Sequence, residues 1–162
     1  AWRLWSAHCV HFSAAHAVTD LIVLFLVACL AERELGTPTT GSALLIGAPL
    51  VSVALLLCVP DLLLYAGSSA LSSLLACAGG VVLWTRAPRV RPVLAAACLL
   101  FLGRILLDAN HGGAALSVLP QGVHVAWQAH VVGATVGGML GACHLGWTDR
   151  SWGVFSFRQS AD

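Results

Sequence analysis

Five apolar stretches dominate the chain, over residues 13–31, 41–59, 68–85, 93–109 and 123–147. Each is close to the ~20 residues a helix needs to cross ~30 Å of hydrocarbon. The breaks between them, at 32–38, 60–61, 86–92 and 110–122, carry Gly, Pro and charge. Lipid offers backbone groups no water to bond, and runs of this length satisfy them as helices. Apolar residues make up 59% of the chain and charged residues 9%, with a mean hydropathy of +0.88. The expected fold is therefore all-α, a polytopic membrane helix bundle forming one domain over residues 1–162, with the lipid bilayer as its first partner.

The charge pattern excludes some functions and orients the chain. The formal net charge is +1, every basic residue is Arg, and no basic run is interleaved with aromatics, so no nucleic-acid partner is expected. Basic residues near helix ends are retained on the cytoplasmic side. If the segments alternate, Arg33, Arg86, Arg89, Arg91, Arg150 and Arg158 share that side, and Arg3 lies on the other. The loops at 60–68 and 110–122 then face outward, with Ser69 and His130 near the outer ends of their helices. Because the chain starts at Ala1 and its only methionine is Met139, a fragment or processed form is expected; an odd number of spans would leave the N-terminus outside, so a further N-terminal span is expected before them. Cys9, Cys29, Cys58, Cys77, Cys98 and Cys143 fall about one per segment with no Cys-x-x-Cys pair; they read as packing residues, and neither a disulfide framework nor a metal site is expected from them.

Strongly polar side chains inside such segments need a reason. The stretch from Tyr65 to Ser73 opens one span with a run of hydroxyls, among them Ser68, Ser69, Ser72 and Ser73. A serine hydroxyl becomes nucleophilic only with a base in reach, and a histidine suits that role. His130 lies deep in the last span and shares a face with Gly133 and Gly137, whose spacing lets another helix approach closely. Gly79 and Gly80 on the third span suit the same packing. His16 and Asp20 stand one turn apart, either as a mutually satisfied pair or as the lining of a cavity; Arg104 and Asp108 repeat the spacing and read as an ion pair. His8, His11, His16, His124 and His130 gather on the outer side, which leaves open a haem or metal protein as a further alternative.

Taken together and in order, these residues resemble the rhomboid intramembrane serine proteases, and within them the rhombosortase branch. Trp2-Arg3 is similar to the Trp-Arg of the first external loop; His8, His11-Phe12-Ser13 and His16 match its histidine-rich approach to the next helix. Glu32 to Gly36 resembles the Glu-x-x-Leu-Gly turn, Gly67-Ser68-Ser69-Ala70 stands where the family carries Gly-x-Ser-Gly, and His130 with Gly133 and Gly137 matches the last-helix motif. The resemblance implies that the absent span is the family's first. It implies a Ser69/His130 dyad, an oxyanion held by His16 and the Ser69 N–H, with Asp20 and Gly67 in support, and no cofactor. The implied substrate is a membrane-anchored exported protein with a C-terminal Gly-Gly motif, a hydrophobic helix and a basic tail. The implied location is a bacterial inner membrane with the site toward the periplasm. Three positions depart from the pattern: Ala70 replaces the second glycine, Asp20 replaces an asparagine, and Ser73 replaces a tyrosine that stacks on the histidine, a task that would pass to Trp127. Asp20 must then be protonated or orient His16. A catalytically inactive rhomboid-like protein that binds membrane helices is the alternative.

Overall fold

A computed structural model describes residues 1–60, 62, 64–111 and 126–159, without the side chains of 111 and 149–159. Its elements are α1 (Arg3–Ser6), a 3-10 turn (Ala7–Cys9), α2 (Ala14–Leu35), α3 (Thr37–Cys58), α4 (Ser69–Arg86), a second 3-10 turn (Pro88–Val90), α5 (Arg91–His111) and α6 (Trp127–Gln159). Among the described residues there is no strand, and the protein is an all-α membrane bundle. Helices α2, α3 and α4 and the stretch Pro88–Asn110 are each long and apolar enough to cross a bilayer. The last span, expected at 123–147, begins outside the described residues; its helix α6 carries many glycines and two histidines, and it is not among these four.

Local chemistry sets the helix ends. Ser13 Oγ accepts the His16 N–H at 3.1 Å and caps α2. Gly36 closes α2 with φ +82°, a conformation glycine adopts without strain, and Pro38 lies in the first turn of α3. Pro49 interrupts α3 from inside: it has no N–H to offer the carbonyl of Leu45 four residues back. The Trp5 indole supplies one instead, Nε1–H donating to Leu45 O at 2.8 Å, and so fixes the N-terminal segment to α3.

The core forms around α4, with Leu74, Leu75, Ala78 and Val82 fully buried on it and Val51 of α3 against them. Helix α4 packs chiefly on α6 and next on α2. Large apolar side chains such as Phe25, Leu57 and Leu100 instead point outward, where a soluble protein would place polar groups. The chain is an integral membrane protein turned apolar side out toward lipid.

Glycine decides how near the central helices come. A methyl group on Gly133 would overlap the carbonyl oxygen of Ala70, one on Gly137 that of Leu74, and one on Gly141 that of Ala78. These contacts advance by four residues on both helices, so α4 and α6 run parallel with backbone on backbone. A methyl group on Gly79 would come within 3.5 Å of the Ala31 Cα on α2, and Asp20 of α2 meets Ser68, so α2 runs parallel to α4 as well. The expectation that Gly80 joins this packing is not met: it faces open space, one position round the helix from the contact. At the far end Arg86 reaches Glu34 O at 3.5 Å and Thr148 Oγ1 at 3.1 Å, holding the three parallel helices in register.

Two alanine substitutions on α6 separate packing from propensity. Gly137→Ala must push backbone from backbone and should cost about 1–3 kcal/mol or more. Gly138→Ala enters open space and should gain up to about 1 kcal/mol in helix propensity. Thermal unfolding in detergent should show the midpoint falling for the first and holding or rising for the second; equal midpoints would contradict the packing.

Candidate active site

Ser69 is the first residue of α4, presented by a sharp approach through Gly67, whose φ of +117° a side chain would strain. Its Oγ lies 3.0 Å from His130 Nε2 on α6, one turn before Gly133. The two side chains meet because Gly133 lets α6 rest on the carbonyl of Ala70, the residue after Ser69. In the tautomer with its proton on Nδ1, the imidazole accepts the serine proton at Nε2. The neighbouring hydroxyls have other partners. Ser72 Oγ turns back to Ser68 O at 3.5 Å and Ser73 Oγ to Ser69 O at 3.0 Å, as serines in helices commonly do. Ser68 Oγ is buried without a partner. Of these serines, Ser69 is the one bonded to a histidine.

Beside this pair lies a second cluster centred on one carboxylate oxygen. Asp20 Oδ2 accepts the Ser68 N–H at 2.9 Å and has His16 Nε2 and His11 Nε2 each at 3.4 Å. His16 Nδ1 faces the Phe12 N–H at 3.4 Å, which puts the imidazole proton on Nε2. Phe12 stacks on the His16 ring, 5.9 Å between centroids and 4° between planes, and His11 meets it edge-on. Gly67 lies over both: a Cβ there would come within 2.9 Å of Asp20 Oδ2 and 3.2 Å of the His16 ring. Asp20 thus lies against the His16 ring, where it can orient it.

A third group was not expected from the sequence as a unit. His8 is buried, with Nε2 at 3.0 Å from Ala48 O and 3.1 Å from Ser52 Oγ, and Nδ1 at 3.1 Å from the Tyr65 hydroxyl. Tyr65 also reaches Gly67 O at 3.1 Å, and the Gly67 N–H donates to Ala7 O at 3.1 Å. Burial lowers the pKa of His8 against the opposing effect of its backbone bonds and favours the neutral ring; its Nε2–H donates to Ala48 O, and the Tyr65 hydroxyl shares its one proton between Nδ1 and Gly67 O. Burial, and then the charge of Asp20, raise the Tyr65 phenol and keep its proton in place. The N-terminal segment thereby grips the backbone that presents Ser69. The available signals were Tyr65 in the hydroxyl-rich stretch and His8 in the histidine-rich approach, 57 residues apart.

The remaining expectations are placed as follows. Arg104 Nε donates to Asp108 Oδ2 at 2.8 Å, an ion pair within α5. No ring contact among the described residues joins Trp127 to His130; Ser73, in the position of the missing tyrosine, bonds to the Ser69 carbonyl instead. His124 lies outside the described residues, and among those described no three His, Cys, Asp or Glu side chains are arranged to hold a metal ion.

A histidine buried in its neutral form binds protons less readily folded than unfolded, so the stability it supports is present above its unfolded pKa and is lost as pH falls through about 6.5. The thermal midpoint should therefore drop on acidification, and His8→Gln should remove part of that slope. An unchanged slope in His8→Gln would contradict a neutral buried His8.

The family model described as the Rhomboid domain matches residues 1–147. No curated protein and no solved structure matches. With nearly the whole helical bundle inside the match, the chain belongs to the rhomboid family.

Proposed function

We propose that the protein is an intramembrane serine endopeptidase, with Ser69 as nucleophile and His130 as base. The observation that carries this reading is the 3.0 Å hydrogen bond between Ser69 Oγ and His130 Nε2 in a family whose members are generally proteases of this kind. Ser69 Oγ attacks the carbonyl carbon of a peptide bond as His130 Nε2 takes its proton. The negative oxygen that forms is met by the His16 Nε2–H and the Ser69 N–H. His130 then returns the proton to the departing amine, and water, deprotonated by the same ring, releases the acyl group.

The proposed substrate is a membrane-anchored exported protein, cut in a C-terminal sorting region of Gly-Gly, hydrophobic helix and basic tail, as in the rhombosortase branch. The Tyr65 to Ser73 run and the Arg104/Asp108 pair support that branch. The proposed location is a bacterial inner membrane with the site on the periplasmic side. In support, Arg33, Arg86, Arg89 and Arg91 lie at the helix ends opposite Ser69. An inactive rhomboid-like protein that binds membrane helices is the second reading, and it draws on Asp20, whose carboxylate already engages His16.

Cleavage of a membrane-anchored reporter with a Gly-Gly tail, in wild type and in Ser69→Ala and His130→Ala, tests the proposal. Each variant should lower the rate by roughly 10³-fold or more. Undiminished cleavage in either variant would overturn the dyad, and a wild type that binds the reporter without cutting it would favour the second reading.

A further inference from the structure

Asp20 carries the charge that opposes the reaction just proposed. Its Oδ2 is 3.4 Å from His16 Nε2, the donor assigned to the oxyanion, and 2.9 Å from the N–H of Ser68 next to the nucleophile. A bare carboxylate there disfavours a second negative oxygen nearby. Something must cancel that charge if Ser69 is to react.

The candidates are the titratable groups around it. His130 faces the cluster from α6, is bonded to Ser69, and has Arg104 and Asp108 of α5 near enough to act on its charge. Tyr65, in the turn before α4, and His8, on the 3-10 turn behind it, are bonded to each other. Helix α4 offers only serine hydroxyls at this end. His16, on α2 with Asp20, has its Nδ1 lone pair directed at the Phe12 N–H, which blocks a second proton. His11 differs from all of these. Its side chain is 8% exposed, and its Nε2 lies 3.4 Å from Asp20 Oδ2 with no hydrogen-bond partner of its own. A lone pair at Nε2 would face the lone pairs of the carboxylate, so that nitrogen carries a proton, and a second proton on Nδ1 makes the ring the cation that cancels the Asp20 charge.

We infer that His11 is a positioning residue for this site: it shares a proton with Asp20, and the pair forms a neutral couple beside the place where the oxyanion develops. With the proton present, the carboxylate is satisfied by His11 and by the Ser68 amide, and the His16 Nε2–H is left for the substrate. With the proton lost, the carboxylate regains its charge and holds His16 to itself. The proton belongs to the couple and not to either residue. This inference rests on Ser69 and His130 acting as proposed.

The test is the rate at which a fluorophosphonate labels Ser69 in the detergent-solubilised chain, followed across pH for wild type, Asp20→Asn, His11→Gln and the double variant. In wild type the rate should rise as His130 loses its proton and fall again as the couple loses its own. Asp20→Asn removes the charge to be cancelled, so its profile should keep the rise and lack the fall. His11→Gln should slow labelling about tenfold alone and under about threefold in the Asp20→Asn background, the non-additivity of groups in contact. A purely structural role for His11 would slow both backgrounds alike and leave the profiles superimposable, and that result would overturn the inference. If His11→Gln does not fold, His11→Asn takes its place in the same comparison across the two Asp20 backgrounds. Absence of labelling in every variant at every pH would instead refute the Ser69 nucleophile.

Discussion

The close approach of α6 to α4 is the contact on which the other features depend. Membrane helices gain little from burying apolar side chains against each other when lipid is equally apolar, so they associate where backbones can touch. Gly133, Gly137 and Gly141 give α6 such a face, and Ala70, Leu74 and Ala78 offer their carbonyls to it. A contact of backbone on backbone fixes rotation and height as well as distance. Short side chains on the two helices, Ser69 and His130, therefore meet at 3.0 Å with no long residue spanning a gap.

Around that contact the polar groups of the site are buried or half-buried beside the apolar core of α4, while many large apolar side chains face outward. Two sets of hydrogen bonds hold the approach to Ser69. Asp20 takes the Ser68 N–H from the side of α2, and Ala7, His8 and Tyr65 take Gly67 from the side of the N-terminal segment. That segment is itself anchored where Pro49 leaves the Leu45 carbonyl for Trp5 to bond. A proline within a helix, which would be a weakness elsewhere, here becomes a docking point. Gly67 is required twice over, by its positive φ and by the lack of room for a Cβ between it and the Asp20 and His16 side chains.

Much of this was legible in the sequence, because hydropathy is local and the bilayer sets a fixed length. The expected stretches at 41–59 and 68–85 lie close to α3 and α4. The first runs on to Leu35, because Glu32, Arg33 and Glu34 continue the helix past its apolar part until Gly36 ends it. Ser69, His130, Gly133 and Gly137 could be named as candidates from spacing and chemistry, and the family resemblance made the first two a dyad. Gly141 escaped notice, although it continues the same four-residue interval, and Gly80 was included where only its neighbour Gly79 packs. The hydrogen bonds of Trp5, His8 and Tyr65 were not legible at all. Apart from the bond of Tyr65 to Gly67, they join residues 40 or more positions apart, and no local pattern marks a carbonyl freed by a proline as the partner of a distant indole. The family resemblance supplied Trp2-Arg3 and the histidines as a motif, without saying what they hold.

The central claim is that one serine among several has been made nucleophilic by its place on α4. It is tested most directly by treating the wild-type protein with a fluorophosphonate, digesting it and locating the adduct by mass spectrometry within the peptide that carries Ser68, Ser69, Ser72 and Ser73. The account predicts the added mass on Ser69 and on none of the other three. An adduct shared among these serines, or found on another of them, would contradict it.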